Sequence, residues 1–380
     1  MKIVIAPDKF KGSLSAAQAA SAITRGVRKA APDAIVDSAP MADGGEGTVD
    51  ALVAATSGSI RTAIVAGPLG ERVTATYGIL GDGSTAVIEM AAAAGLVLVP
   101  KDRRDPAKTT TIGVGELILD AVQNGAQRVI VGIGGSATND GGAGLAQALG
   151  YRLLDEKDEP IEPAGGTLDR LAKIEISLRS RALDRIQIDI ACDVDNPLCG
   201  PEGASAIYGP QKGASPAQVE LLDRNLAHFA AIIERDLGVA IRDLPGAGAA
   251  GGLGAGLVAF AHGRLKRGID LIVDAVHLAD RLQGASLCLT AEGSLDRSSA
   301  FGKTVVGVSK IAKRDNIPVI ALAGTIGPGA EDVIEAGIDA YFSVCPGPIT
   351  LDEAVKNAAE LLEHAAEHAL RAFLAGRRGR

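Results

Sequence analysis

A chain of 380 residues is longer than one hydrophobic core ordinarily fills, so two domains are expected. Its 47% hydrophobic content is that of a folded globular protein, while 3% aromatic residues and no Trp leave little for stacking bases or sugar rings. A formal charge of −8 argues against nucleic acid as a partner, and no apolar run is long enough to cross a bilayer.

Residues 2–6 read as an apolar strand, and Ser13 or Ser15 caps a helix running to about Ala30. Met1–Ala6 followed by Pro7-Asp8 is too short for a signal h-region, so a cytoplasmic protein is expected. Residues 35–38 form a second strand, with a helix beginning near Glu46. Residues 60–65, 73–80 and 85–89 then read as an antiparallel meander joined by Gly-Pro and Gly-Asp-Gly turns. Thr109 to Thr111 cap a helix closed by Gly125, and a strand over 128–132 follows. Ser215-Pro216 starts a helix that ends near Gly238. After residue 285 the βα rhythm returns: strands over 286–290, 318–323 and 341–344, helices over 303–314 and 331–336, and one long amphipathic helix over 351–374.

Two opening βα units complete a layered α/β sheet only together with the closing ones. The expected fold is therefore a Rossmann-like or flavodoxin-like parallel-sheet α/β domain from residues 1–66 plus 286–380, with a mixed α/β domain inserted over 67–285. A ligand cleft between the two is the natural expectation. Cys192, Cys199, Cys288 and Cys345 are far apart without CxxC spacing and read as reduced thiols, and the five scattered histidines form no zinc-like cluster. The tail Arg377–Arg380 reads as a solvated end.

Three glycine-rich runs suggest an enzyme that handles a polyanion: residues 41–48, 130–144 and 246–256. Glycine lets backbone N–H groups converge on anionic oxygens, and in the second run Gly135, Ser136, Thr138, Asn139, Asp140 and Gly141 supply directed contacts. In the segment 185–197, strand alternation puts Asp189, Asp193 and Asp195 on one face. Neighbouring carboxylates there lie ~7 Å apart and repel by ~2 kcal/mol at an effective dielectric of about 20, so a Mg²⁺ ion or a lysine is called for. A solvated strand edge ending in an Asp-Asn-Pro turn is the plain alternative.

Asp8, Lys9, Lys11 and Ser13 follow the first strand at its carboxyl end, where α/β sheets bind ligands, and Asp43 and Glu46 follow the second. Glu292, Asp296 and Lys303 follow a later strand. Gly302-Lys303-Thr304 looks like a P-loop ending, but Arg297 stands where its first glycine belongs, so a P-loop is rejected. Gly132-x-Gly134-x-x-Ala137 fits a relaxed dinucleotide fingerprint poorly, because Thr138–Gly142 interrupts the helix start.

Taken together, these segments resemble the class I glycerate kinases. The resemblance rests on Ala6–Leu14, Met41–Thr48, Gly134–Gly142, Cys192–Leu198, Gly209-Pro-Gln-Lys212-Gly213, Gly248–Gly254 and Glu292-Gly-Ser-Leu-Asp296 with Gly302-Lys303, in the family's order over nearly the whole chain. Ala291 departs where a glycine is expected, and Ser298 where a glutamine is usual. The resemblance implies ATP-dependent phosphorylation of D-glycerate, at the 2-hydroxyl, with Mg²⁺. It implies Asp189, Asp193 and Asp195 as holders of Mg²⁺ or of the hydroxyl, with Asp193 as base and Lys11 in the catalytic set. Lys9, Lys212 and Lys303 would neutralise anions, and the loop 135–141 would wrap one. The expected partners are small molecules, glycerate and ATP, bound by a monomer or homodimer, with no nucleic acid and no membrane. A glycerate 3-kinase, a dinucleotide-dependent oxidoreductase and a non-catalytic small-acid sensor remain as alternatives.

Overall fold

The computed structural model describes residues 1–300 and 303–377. Gly302 of the Gly302-Lys303 pair and residues 378–380 of the tail lie outside the described residues. Among the described residues the strands are, in chain order, β1 (Lys2–Ile5), β2 (Ile35–Ser38), β3 (Ser59–Ala66), β4 (Arg72–Ile79), β5 (Thr85–Glu89), β6 (Arg128–Gly132), β7 (Arg152–Leu154), β8 (Lys173–Glu175), β9 (Gln187–Ala191), β10 (Arg264–Lys266), β11 (Leu287–Leu295), β12 (Val319–Ile326) and β13 (Ala340–Ser343). The chain divides into two compact units, one of residues 1–43, 50–58 and 269–380, the other of residues 44–49 and 59–268.

The first unit is built on five parallel strands in the order β13-β12-β11-β1-β2. From β1 the chain steps to β2 on one side, and later segments build outward on the other, so the direction of winding reverses between β1 and β11. That reversal is the topological switch point of a doubly wound sheet. The helices Ala16–Ala30 and Ala358–Arg377 share a core with β1 and β11 through Ile3, Ile5, Ile23, Leu289, Leu362 and Leu370. They touch backbone to backbone at Gly26, where a Cβ would lie 2.2 Å from the Glu363 carbonyl oxygen. Of the two expected caps, Ser15 serves: its hydroxyl accepts from Gln18 N at 3.2 Å, and Gln18 returns the bond at 2.9 Å.

The long helix expected over 351–374 is two helices, Leu351–Lys356 and Ala358–Arg377, separated at Asn357. The first lies off the buried stripe of the second: Leu351 is 75% exposed and Val355 39%.

The second unit carries a six-stranded mixed sheet, β10-β9-β6-β5-β4-β3, in which β10, β9, β6 and β5 run parallel, β4 pairs antiparallel with β5, and β3 pairs antiparallel with β4. A short hairpin of β7 and β8 stands apart from it. β3, expected with the first domain, pairs with β4 from Ser59↔Ile79 to Ala66↔Arg72, and this full-length hairpin carries it into the second unit. Conversely, residues 269–285, expected in the inserted domain, join the first unit, where Arg281 Nη1 donates to Asp37 at 2.7 Å. The core gathers Ile88, Val131, Ile190, Leu117, Phe229 and Phe260. Among the described residues, no helix is long and apolar enough to cross a membrane.

Candidate active site

At the carboxyl edge of the first unit, β1 runs through Pro7 into Asp8, whose backbone N–H donates to the Ala291 carbonyl of β11 at 2.7 Å. This bond carries Asp8 alongside β11 and buries its side chain. The carboxylate accepts from Lys9 N at 2.7 Å on Oδ1 and from the Thr304 hydroxyl, at the start of the helix Thr304–Ala312, on Oδ2. Burial holds Asp8 above the usual carboxylate range; the Thr304 hydroxyl opposes that and Asp43 adds to it. Lys9 Nζ lies 3.6 Å from Asp43 Oδ1.

On β11, across the switch point, Glu292 is pushed up to about 7 by burial. A hydrogen bond with Ser299 and the charge of Lys303 oppose the shift, while Asp8 and Asp296 add to it. Glu292 Oε1 is buried with no hydrogen-bond partner among the described residues. The Ser298 hydroxyl holds Asp296 below its usual range, and Lys303 Nζ lies 3.9 Å from its Oδ1. Asp8, Lys9, Asp43, Glu292, Asp296 and Lys303 thus converge. Two buried carboxyl groups flanked by two lysines can accept a hydroxyl proton and hold an anion in one place. Ser13, by contrast, donates to the Val355 carbonyl at 3.4 Å, and Lys11 is exposed beside a separate cavity.

The second unit has its own carboxyl edge, where residues 44–49 lie over the ends of β5, β6 and β9. A Cβ on Gly132 would meet the Gly44 carbonyl oxygen at 2.4 Å, one on Gly44 would meet Ala191 Cβ at 2.7 Å, and Val49 N donates to Glu89 Oε1 at 2.9 Å. Gly44 of the 41–48 run therefore serves close packing. Glu46 is exposed on this loop and belongs to the second unit, whereas Asp43 belongs to the first.

The loop after β6 is exposed only at Gly134 and Gly135; from Ser136 onward it is buried. A Cβ on Gly251 would stand 1.9 Å from the Thr138 carbonyl oxygen, and Gly141 N donates to the Gly251 carbonyl at 3.0 Å. The run 246–256, expected as a third anion loop, is thus the packing partner of the second. It enters the helix Ala249–Ala261 through a left-handed stretch at Ala250, Gly251 and Gly252.

Several expected ligand contacts are already engaged inside the second unit. Both Asp140 oxygens accept bonds from Thr111 and from the Gly142 and Gly144 N–H groups, and burial raises its pKa against them. Asn139 Nδ2 donates to Ser205 at 2.9 Å. Lys212, expected on phosphate, is fully buried and donates to the Thr138 carbonyl at 2.7 Å; burial pushes it down to about 7, with Asp140 opposing. Of the expected contacts Gly135 is exposed, and Ser136 beside it is buried.

The acidic segment also departs from the alternation read along it. β9 ends at Ala191, so Asp193 and Asp195 lie beyond the strand, exposed, with Asp193 Oδ1 accepting from Gly268 N at 2.8 Å. Asp189 lies within the strand, fully buried, with its oxygens turned to basic partners. Arg128 Nε and Nη2 each approach Oδ2 at 2.9 Å, Gln187 donates to it at 2.7 Å, and Lys266 Nζ is 2.9 Å from Oδ1 in an ion pair that lacks hydrogen-bond alignment. Burial opposes ionisation of Asp189, yet Lys266, Gln187 and Arg128 hold its pKa below the usual range. The charge that the strand required is supplied by Arg128 and Lys266. Among the described residues, no group of three or more His, Cys, Asp or Glu is placed to hold a metal ion. Thr304 was absent from the expected site; its hydroxyl at a helix start next to Lys303 was the available signal.

Comparison with known proteins matches residues 3–374 to the glycerate kinase family. The chain is 53% identical to a glycerate kinase of Bacillus subtilis (strain 168) over 96% of each chain. It is 52% identical to the glycerate 2-kinase of Escherichia coli (strain K12) over 94% of each. A crystal structure described as glycerate kinase 2 from Salmonella typhimurium LT2 superposes with a TM-score of 0.92 at 50% identity, covering 100% of both chains. On the order of its motifs, its fold and these matches, the chain belongs to the glycerate kinase family.

Proposed function

We propose that this protein phosphorylates D-glycerate with ATP to give 2-phospho-D-glycerate. The observation that carries the reading is the buried pair Asp8 and Glu292, flanked by Lys9 and Lys303 at the switch point of a doubly wound sheet, in a chain of this family. The 2-position is favoured by the Escherichia coli relative that bears that name. Phosphoryl transfer needs positioning and charge neutralisation more than covalent chemistry. Lys9 and Lys303 supply cationic charge, and Glu292 Oε1 supplies an acceptor awaiting a donor.

Mg²⁺ bound with ATP neutralises phosphate charge and needs only one or two protein carboxylates. Asp189 does not fit that task, because its oxygens face Arg128 and Lys266; the exposed Asp193 and Asp195 do. Four free cysteines support a cytoplasmic enzyme, acting as a monomer or homodimer.

Asp193 is our choice of base. Asparagine keeps the Oδ1 that accepts from Gly268 N, so Asp193→Asn is expected to stay folded while kcat falls by about 10²–10⁴. Turnover near that of the parent would remove Asp193 from the mechanism.

The reaction itself is tested by incubating the protein with ATP, Mg²⁺ and D-glycerate and dividing the product between enolase alone and a coupling system specific for 3-phosphoglycerate. Direct conversion by enolase is the expected result. A signal only in the second system would make the protein a 3-kinase, and untouched ATP would point to a small-acid sensor.

A further inference from the structure

The first unit holds a cavity of about 360 Å³ that the site described above does not use. Its floor is the carboxyl end of β11, β12 and β13 at Gly293, Gly324 and Val344, and one wall is the short helix Leu351–Lys356. Phe10, Ile349 and Val355 give it an apolar lining. Ile349 is 40% exposed and Val355 39%, so the chain's own packing leaves apolar surface uncovered here. Lys11 lines the cavity too, and Gly293 directly follows Glu292 in the chain.

We propose that this cavity lodges the purine ring of the nucleotide, an assignment that rests on the kinase reading above. Its volume lies within the roughly 300–1,000 Å³ of small-molecule pockets, and such pockets favour the carboxyl edge of doubly wound sheets. Glycerate is the poorer occupant: Lys11, Ser13, Thr325 and Thr350 could meet its carboxylate and hydroxyls, but three carbons would leave the apolar walls at Phe10, Ile349 and Val355 uncovered. A purine has two flat faces suited to Phe10, Ile349 and Val355. Lys11 then meets the phosphate chain where it leaves the cavity, and Gly293 adds no side chain to obstruct the way toward Glu292. Lys11 is on this reading a phosphate contact.

Cys345 provides a probe that does not depend on turnover. It lines the cavity, with its Sγ 3.6 Å from the Gly324 carbonyl oxygen. Wild-type protein is treated with N-ethylmaleimide with and without saturating ADP, bound ADP is measured by equilibrium dialysis, and each cysteine's labelling is followed by peptide mass spectrometry. ADP is expected to slow Cys345 labelling at least tenfold, and D-glycerate alone to leave it unchanged.

Ala354, on the helical wall, is then enlarged. Ala354→Phe is expected to weaken ADP binding at least tenfold, with KM for glycerate unchanged. Cys345 labelled at the same rate while ADP is bound, or Ala354→Phe binding ADP like the parent, would overturn the cavity assignment and leave the kinase reading standing. Protein that binds no ADP at all would overturn both.

Discussion

Glu292→Gln is expected to make the protein more stable and less active at once. Burial carries this carboxyl from an ordinary 4.5 to about 7, with Asp8 and Asp296 adding to the shift. Below about pH 4.5 the group is protonated in folded and unfolded chains alike, and the native state bears no penalty. As the pH rises from there through about 7, the unfolded chain ionises freely while the native carboxyl resists, and stability is lost with rising pH. At pH 8 the buried charge costs the native state on the order of 3 kcal/mol. Glutamine keeps the shape and removes the charge, so the transition of this unit should move up by roughly 5–10 °C at pH 8 and by little at pH 5. The same substitution should lower kcat about a hundredfold or more, because the strained carboxylate is the one placed to receive a substrate donor. Thermal melts at the two pH values, paired with steady-state kinetics, decide it. A variant that melts below the parent at pH 8, or turns over at the parental rate, would make Glu292 an ordinary buried acid.

The unit-1 site was legible because its residues lie just after apolar strands, and parallel sheets place such residues on one edge. Asp8, Lys9, Glu292, Asp296 and Lys303 could be found from that rule, with Thr304 one position further on. Local signals also identified helix starts: Ser15 with Gln18 and Ser215 with Gln218 both form capping boxes. The acidic segment misled because periodicity was followed past Ala191, where pairing with β6 stops at Gly132. A two-residue period says which face a side chain takes only while the ladder lasts. Glycine was ambiguous for a different reason. The residue that lets an anion approach a backbone also lets another backbone approach, and Gly251 against Thr138 is the second case. Asp189 needed its partners Arg128 and Lys266 from other strands, and no local pattern names those.

Asp140→Ala should behave in the opposite way to Glu292→Gln, although burial raises both carboxyl groups. The difference lies in what each leaves behind. Glu292 Oε1 has no partner to abandon among the described residues, whereas Asp140 Oδ2 accepts Thr111 N and the Thr111 hydroxyl, both at 2.8 Å, and Gly144 N at 3.2 Å. Oδ1 accepts Gly142 N at 3.1 Å. Thr111, expected to cap the helix Ile112–Gln123 with its side chain, directs its hydroxyl to Asp140 instead and accepts from Leu145 N at 3.0 Å. Alanine removes a desolvated charge, which favours the variant, but it strands three backbone N–H groups and a hydroxyl in a closed interior at about 1–3 kcal/mol each. The second effect wins, and a net loss of about 4 kcal/mol is expected, or roughly 10 °C in the melting of the second unit. Thr111→Val should reproduce about 1–2 kcal/mol of that loss. The double variant should lose less than the two single losses together, because both substitutions break the same network. A folded Asp140→Ala protein that melts with the parent but has lost turnover would instead make this carboxylate a substrate contact, and the loop after β6 would then have to open for its ligand.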